Sequence, residues 1–120
     1  MHLHTKYMED QKMNNNIDYN EDLIEKIEIL KQQIDIIWEN FITNEISNGM
    51  KLMSQLFVDL DKIVTKIVST KNVDITEFFK CMEKLENAMK ISDYMLIADL
   101  VKYEIKPIVS MWQNKLNSKN

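Results

Sequence analysis

The stretch LIEKIEILKQQIDIIWENF, residues 23–41, is the longest regular pattern in the chain. Its large apolar residues recur at spacings of 4, 3, 4, 3 and 4, at Leu23, Ile27, Leu30, Ile34, Ile37 and Phe41. This spacing puts the side chains on one face of an α-helix, with charged and amide residues on the other faces. Because such a face must be buried against another element, the stretch predicts one helix of a larger helical assembly.

Three further stretches show the same rhythm and predict three more helices. We expect the first helix to begin at Asp18 and to end before Ser47-Asn48-Gly49, the strongest turn signal in the chain. Asp74 is expected to cap the third helix and Ser92 the fourth. The predicted inner faces are Met53, Leu56, Leu60, Ile63 and Ile67; then Ile75, Phe78, Met82, Leu85 and Met89; then Tyr94, Ile97, Val101, Ile105, Ile108 and Trp112.

Length and composition fit this pattern of four helices. The chain has 120 residues, enough for one domain, and it contains one glycine and one proline. A sheet protein would need many more turn residues. The sequence therefore predicts an all-α, antiparallel up-down-up-down four-helix bundle over residues 17–120. Residues 1–16 show no sustained period and are expected to form a flexible tail.

The charged residues and the single cysteine disfavour several classes of function. All fifteen basic residues are lysine, and the net charge is −4. Without the bidentate grip of arginine on phosphate, we expect no nucleic-acid partner. No apolar run approaches the roughly 20 residues that span a bilayer, so no membrane partner is expected. A lone cysteine, Cys81, suits a reducing compartment, and we expect a cytoplasmic location.

No group of residues in the sequence supports catalysis, so we expect a non-enzymatic protein with neither cofactor nor metal. The two histidines, His2 and His4, lie in the predicted tail and fall short of a tetrahedral ligand set. Cys81 lacks a helical histidine to deprotonate it. Glu104 falls inside the apolar arc of the fourth helix and is a candidate buried polar residue. It is expected either to bond to a tyrosine or lysine, to lie near an open end, or to grip a ligand.

The fourth helix has more apolar surface than one inner face requires. A second stripe recurs at spacings of 4, 3, 4 and 4 and consists of Leu96, Leu100, Tyr103, Pro107 and Met111. Either this helix is flanked on two sides by its neighbours, or the stripe accepts a helix of a partner. Pro107 is expected to kink the helix because it cannot donate a hydrogen bond to the carbonyl of Tyr103.

Two isoleucines on the first helix point away from its apolar face. Ile29 and Ile36 lie seven residues apart, two turns along the helix, and form what we call the isoleucine ridge. Nine methionines suit a surface that repacks around partners, although most of them fall on inner faces. The ridge and the second stripe are the candidate partner-binding residues.

The stretch SDYMLIADLVKYEIKPIVSMW, residues 92–112, is similar to a C-terminal pattern in small uncharacterised helical proteins of Firmicutes, some of them encoded near flagellar genes. The resemblance is carried by Asp93, Leu96, Ala98, Asp99, Leu100, Tyr103, Glu104, Pro107 and Trp112. It implies a small bundle that acts as a chaperone or adaptor for another component. Heavy use of Ile, Asn and Lys is also typical of an AT-rich bacterial genome.

The sequence thus favours a protein–protein interaction module, an adaptor or chaperone-like helical bundle, whose partner is another protein or a second copy of the chain. The alternative is a small-molecule or lipid-binding bundle with a pocket near the Pro107 kink and Glu104 as its polar anchor.

Overall fold

The computed structural model describes residues 20–70 and 73–118 together with their side chains. The chain forms α1 (His2–Ile42), α2 (Ile46–Thr70), α3 (Thr76–Lys90), α4 (Tyr94–Leu100), a π-helical segment (Val101–Ile105) and α5 (Lys106–Asn117). The last three follow one another without a break, and we call them together the C-terminal helix. The predicted all-α class is confirmed. Asp18 and the tail predicted for residues 1–16 lie outside the residues described with side chains.

The core draws side chains from every helix into one cluster. All six residues of the α1 pattern are buried, and so are the five predicted for α2. Among the described residues the buried set is wholly apolar or cysteine. The 3.6-residue period therefore identified the inner faces of the first two helices correctly.

Side-chain contacts show that α1 and α2 run antiparallel. Near the connection between them, Asn48 donates a hydrogen bond to Asn40, with 2.8 Å between Nδ2 and Oδ1. Farther along both helices, Gln33 donates to Asp59 over 3.2 Å. In successive contacts away from the connection, the α1 residue has a lower number and the α2 residue a higher one. The two helices are therefore antiparallel, which is the arrangement that a short link imposes.

The C-terminal helix lies between α1 and α3 and is antiparallel to both. Phe41 stacks on Tyr94 at one end, with ring centroids 6.2 Å apart, and Gln113 donates to Glu28 toward the other end. On the α3 side, the rings of Phe78 and Trp112 lie 5.3 Å apart. The up-down-up-down order of the four helices stays a prediction.

The connection between α1 and α2 is not at the predicted turn. α1 ends at Ile42, and Asn44 adopts a left-handed conformation with φ of 66°. The amides of Asn44 and Glu45 donate to the carbonyls of Phe41 and Asn40, which is the Schellman pattern of a helix end. The prediction of a turn at Ser47-Asn48-Gly49 was therefore wrong.

Gly49 is instead buried in the first turns of α2, against the ring of Phe41. A Cβ atom at this position would lie 3.0 Å from two atoms of that ring. The glycine thus permits the close approach of α2 to α1, a tertiary requirement that resembles a turn signal in the sequence.

The end of α3 repeats the same motif and corrects the predicted cap of the fourth helix. Ser92 has φ of 56°, and the amides of Ser92 and Asp93 donate to the carbonyls of Met89 and Ala88. Ser92 therefore terminates α3 rather than capping the next helix. Asp93 is the cap, since its carboxylate accepts a hydrogen bond of 3.1 Å from the amide of Leu96.

The start of α3 lies close to its predicted position. The carboxylate of Asp74 accepts hydrogen bonds from both the amide and the hydroxyl of Thr76, over 2.9 and 2.6 Å. These bonds lower the pKa of Asp74 from its ordinary value. The N-cap of α3 is nevertheless Ile75, which makes no side-chain cap bond, so the predicted cap at Asp74 was wrong by one residue. Asp74 instead satisfies the backbone donor of Thr76, the first residue of the helix.

Candidate partner-binding surface

The π-helical segment sets the orientation of the second half of the C-terminal helix. It ends at Ile105, two residues before Pro107, and the amide of Lys106 donates to the carbonyl of Val101, five residues back. A wider turn at this point accommodates a proline that cannot donate and whose ring crowds the preceding turn. The helix thus has one extra residue in the turn before Pro107, and the kink expected there stays a prediction.

That extra residue changes which side chains face the core. One row of buried residues in the C-terminal helix has a spacing of four and consists of Ile97, Val101, Ile105 and Val109. In an ideal α-helix each such step would drift by about 40°. The wider turn reduces the drift, so Val109 is buried where Ile108 was predicted, and Ile108 is only half-buried. The prediction for Ile108 was wrong for this reason.

Four of the five residues of the second stripe face solvent. Leu96 is 41% exposed, Tyr103 61% and Met111 49%, and Pro107 is also exposed. Leu100 is the exception at 3% exposed, because the helix packs on both α1 and α3 at this level and its buried arc is wide. The stripe is therefore a surface of the protein, about 22 Å long at a rise of about 1.5 Å per residue.

Ion pairs to α1 border one side of the stripe. The carboxylate of Asp35 accepts hydrogen bonds of 2.8 Å from both Lys102 and Lys106. These bonds lower the pKa of Asp35, against a smaller opposing effect of burial. The ammonium of Lys102 also lies 4.9 Å from the ring centroid of Trp38, at cation–π distance.

An ion pair to α3 borders the other side. Glu104 is half-buried rather than buried, and its carboxylate lies 3.1 Å from the ammonium of Lys84. A bond to a lysine was one of the alternatives expected for Glu104, and this bond pairs its negative charge with the ammonium of Lys84. Nearby, burial raises the pKa of the Cys81 thiol to about 11, and the charge of Glu104 adds to the increase. The thiol is accordingly protonated and unreactive at neutral pH.

The isoleucine ridge is exposed too, but it lies on a different surface. Ile29 is 49% and Ile36 is 52% exposed. Ile29 lines a cleft of about 260 Å³ between α1 and α2, beside Lys26, Lys62 and Lys66. The C-terminal helix contacts the opposite flank of α1, through Asp35 among others. The structure therefore does not join the ridge and the second stripe into one site.

One surface was not predicted from the sequence: a groove between α2 and α3, which we call the acidic groove. It consists of two adjoining cavities of about 460 and 390 Å³. Their lining residues are Phe57, Leu60, Asp61 and Val64 of α2 and Phe78, Phe79, Met82, Glu83, Glu86 and Met89 of α3. The adjacent pair Phe78-Phe79 was the sequence signal for an exposed aromatic side chain. Only one of two neighbouring residues of a helix can face the core of the protein.

The described residues contain no group of three or more potential metal-ligating acidic, histidine or cysteine side chains. Among the helices of the same residues, none combines the length and the apolar character that crossing a membrane demands.

The fold and its surfaces define a small helical bundle with an exposed apolar stripe between two ion pairs to α1 and one ion pair to α3. The family model described as Domain of unknown function (DUF8042) matches residues 18–115, and the chain belongs to this family. No curated protein and no solved structure matches the chain.

Proposed function

We propose that this chain is a non-enzymatic protein–protein interaction module, an adaptor or chaperone-like bundle. Its second stripe docks a helix of another protein or of a second copy of the chain. The observation that carries the proposal is the exposure of Leu96, Tyr103 and Met111 along one helix face. A side chain that its own core does not cover is available to a partner.

The surroundings of the stripe support this interpretation. Protein interfaces combine an apolar centre, in which tyrosine and methionine are enriched, with a polar rim. Here the apolar centre lies between the Asp35 pairs on one side and the Lys84–Glu104 pair on the other. The Lys84–Glu104 pair is exposed and contributes little to stability by itself, whereas the Asp35 pairs are partly buried. The pairs join the C-terminal helix to α1 on one side of the stripe and to α3 on the other.

The resemblance of residues 92–112 to small proteins encoded near flagellar genes suggests a bacterial cytoplasmic protein with a flagellar component as its client. The support for this part of the proposal is the sequence similarity. It is independent of the geometry of the stripe.

A paired-variant experiment tests the proposal. The tagged chain is purified from its native host, and co-eluting proteins are identified by mass spectrometry. Leu96→Ser/Tyr103→Ser should lose a stoichiometric partner while retaining the helical circular dichroism spectrum. The control, Val58→Ser/Val68→Ser, removes two side chains of α2 that are 48% and 47% exposed and should keep the partner.

Light scattering on the same preparations covers self-association. A wild-type dimer that becomes a monomer only in the Leu96→Ser/Tyr103→Ser variant would identify the partner as a second copy. If both variants retain the same partner and the same mass, the stripe is not an interface and the proposal fails.

The alternative, a small-molecule or lipid binder, would have its pocket near Pro107 and Glu104 as its polar anchor. The cavities described above are lined by α1 and α2 or by α2 and α3, and Glu104 and Pro107 line none of them. Glu104 is already engaged by Lys84. The alternative stays a prediction of the sequence.

A further inference from the structure

One wall of the acidic groove carries an exposed aromatic side chain, Phe79, that is not part of the core. Phe78 turns inward and is 5% exposed, whereas its neighbour Phe79 is 56% exposed. The two rings lie edge to face with centroids 5.7 Å apart. An exposed phenylalanine is costly in water, and an apolar occupant of the groove would remove that cost.

The groove is elongated and its shape fits a helix. On α3 its lining residues recur from Phe79 through Met82 and Glu86 to Met89, a row about 15 Å long at about 1.5 Å per residue. α2 supplies Phe57 and Val64 opposite this row. A helix placed along the row would present apolar side chains at spacings of three and four to both walls.

The charges around the groove favour a basic occupant. The described charged residues that line it, Asp61 on α2 and Glu83 and Glu86 on α3, are all acidic. Glu86 lies 3.7 Å from Lys90, but both side chains are about 70% exposed, so this pair is weak. Lysines or arginines beside an apolar helix face would complement these carboxylates and exclude acidic competitors.

We propose that the acidic groove binds a basic amphipathic helix of another protein. The flexible side chains of Met82 and Met89 allow the walls to adapt to different apolar residues. This second interaction surface lies on α2 and α3, so it does not depend on whether the second stripe of the C-terminal helix is an interface.

A synthetic peptide serves as the probe. It consists of leucine and lysine over about five helical turns, with leucine at spacings of three and four so that one face is apolar. Fluorescence anisotropy should show saturable one-to-one binding to the full chain, weakening as salt is raised. The matched peptide with glutamate in place of every lysine should not bind. Equal binding of both peptides would overturn the charge argument and with it the proposal.

One variant tests whether the peptide occupies the groove. Phe79→Ala should weaken binding at least about tenfold, as expected for an aromatic residue at the centre of an interface. Because Phe79 is exposed, the variant should fold. The control Met95→Ala removes a side chain of the C-terminal helix that is 53% exposed and should bind as the wild type does. Equal affinities for the two variants would place the peptide elsewhere and overturn the proposal.

A charge-reversal pair separates the groove from the general field of an acidic protein. Glu83→Lys/Glu86→Lys should abolish binding of the basic peptide. Glu25→Lys/Glu39→Lys makes the same change in net charge on exposed positions of α1 and should reduce affinity only slightly. If the two double variants lose affinity equally, or if Phe79→Ala converts a wild-type dimer to a monomer, the proposed occupant is wrong.

Discussion

Replacing Ser92 with glycine should make the protein more stable, although it removes a side chain. Ser92 ends α3 in a left-handed conformation, with φ of 56°. For a residue with a Cβ atom this conformation costs about 1–2 kcal/mol relative to the right-handed region, because Cβ approaches the following carbonyl oxygen. Glycine lacks the atom and avoids the cost.

The expected gain is smaller than the steric cost it removes. Glycine also makes the unfolded chain more flexible, which lowers the free energy of unfolding by about 0.4–1 kcal/mol. The difference between these ranges is a net stabilisation of about 0–1.6 kcal/mol, centred on ~0.8 kcal/mol. For a domain of this size we expect an increase in melting temperature of about 2–4 °C.

Urea unfolding followed by circular dichroism measures the free energy of unfolding directly. The control is Ser54→Gly at an exposed position in α2, where glycine should instead destabilise by about 0.5 kcal/mol. Asn44→Gly should gain less than Ser92→Gly, since asparagine tolerates the left-handed region better than serine does. A Ser92→Gly variant destabilised as much as Ser54→Gly would refute the argument that the end of α3 is strained.

Three further predictions concern other parts of the fold. Gly49→Val should lower the free energy of unfolding by about 1–3 kcal/mol, because the new side chain overlaps the buried ring of Phe41; an unchanged urea midpoint would contradict this. The folded-state pKa of Asp35 is lowered, so its contribution is present above its unfolded pKa of about 3.9 and is lost as the pH falls below that value. Urea titrations at a series of acidic pH values should therefore show a steeper loss of stability in the wild type than in Asp35→Asn, and parallel curves would remove the assigned role of the lysine pairs. Cys81, with its pKa raised to about 11, should resist thiol reagents at about pH 8 until the protein is unfolded, and rapid labelling of folded protein would show that the thiol is accessible.

The apolar patterns of α1 and α2 could be predicted because they obey a single period over many turns. Leu23 to Phe41 and Met53 to Ile67 are buried as their spacing indicates. The period fails in the C-terminal helix, where the extra residue before Pro107 brings Val109 to the core in place of Ile108. A calculation with a fixed angle per residue contains no such irregularity.

The helix ends were harder to predict because their signals compete. Asn44 and Ser92 adopt the left-handed conformation that glycine usually supplies. The glycine of Asn48-Gly49 is used for something else, the contact with Phe41. Only the packing of α2 on α1 distinguishes a glycine that permits close approach from one that makes a turn.

The exposure of the second stripe could not be decided from the sequence, because it depends on where neighbouring helices lie. Leu100 is covered at the level where α4 contacts both α1 and α3, and Tyr103 is not. The acidic groove has the same origin. In the structure α2 packs mainly on α1 and α3 mainly on the C-terminal helix, which leaves the groove between them.

We propose that the second stripe is an interface and not an uncovered part of the core. The most direct test measures two quantities on Leu96→Ser/Tyr103→Ser: its free energy of unfolding and its dissociation constant for the partner, or for itself if the wild type dimerises. If the stripe is an interface, we expect the stability to change by less than about 1 kcal/mol for two exposed sites. Binding should weaken by at least about a hundredfold for two central residues. A variant that unfolds, or one that binds as tightly as the wild type, would contradict the proposal.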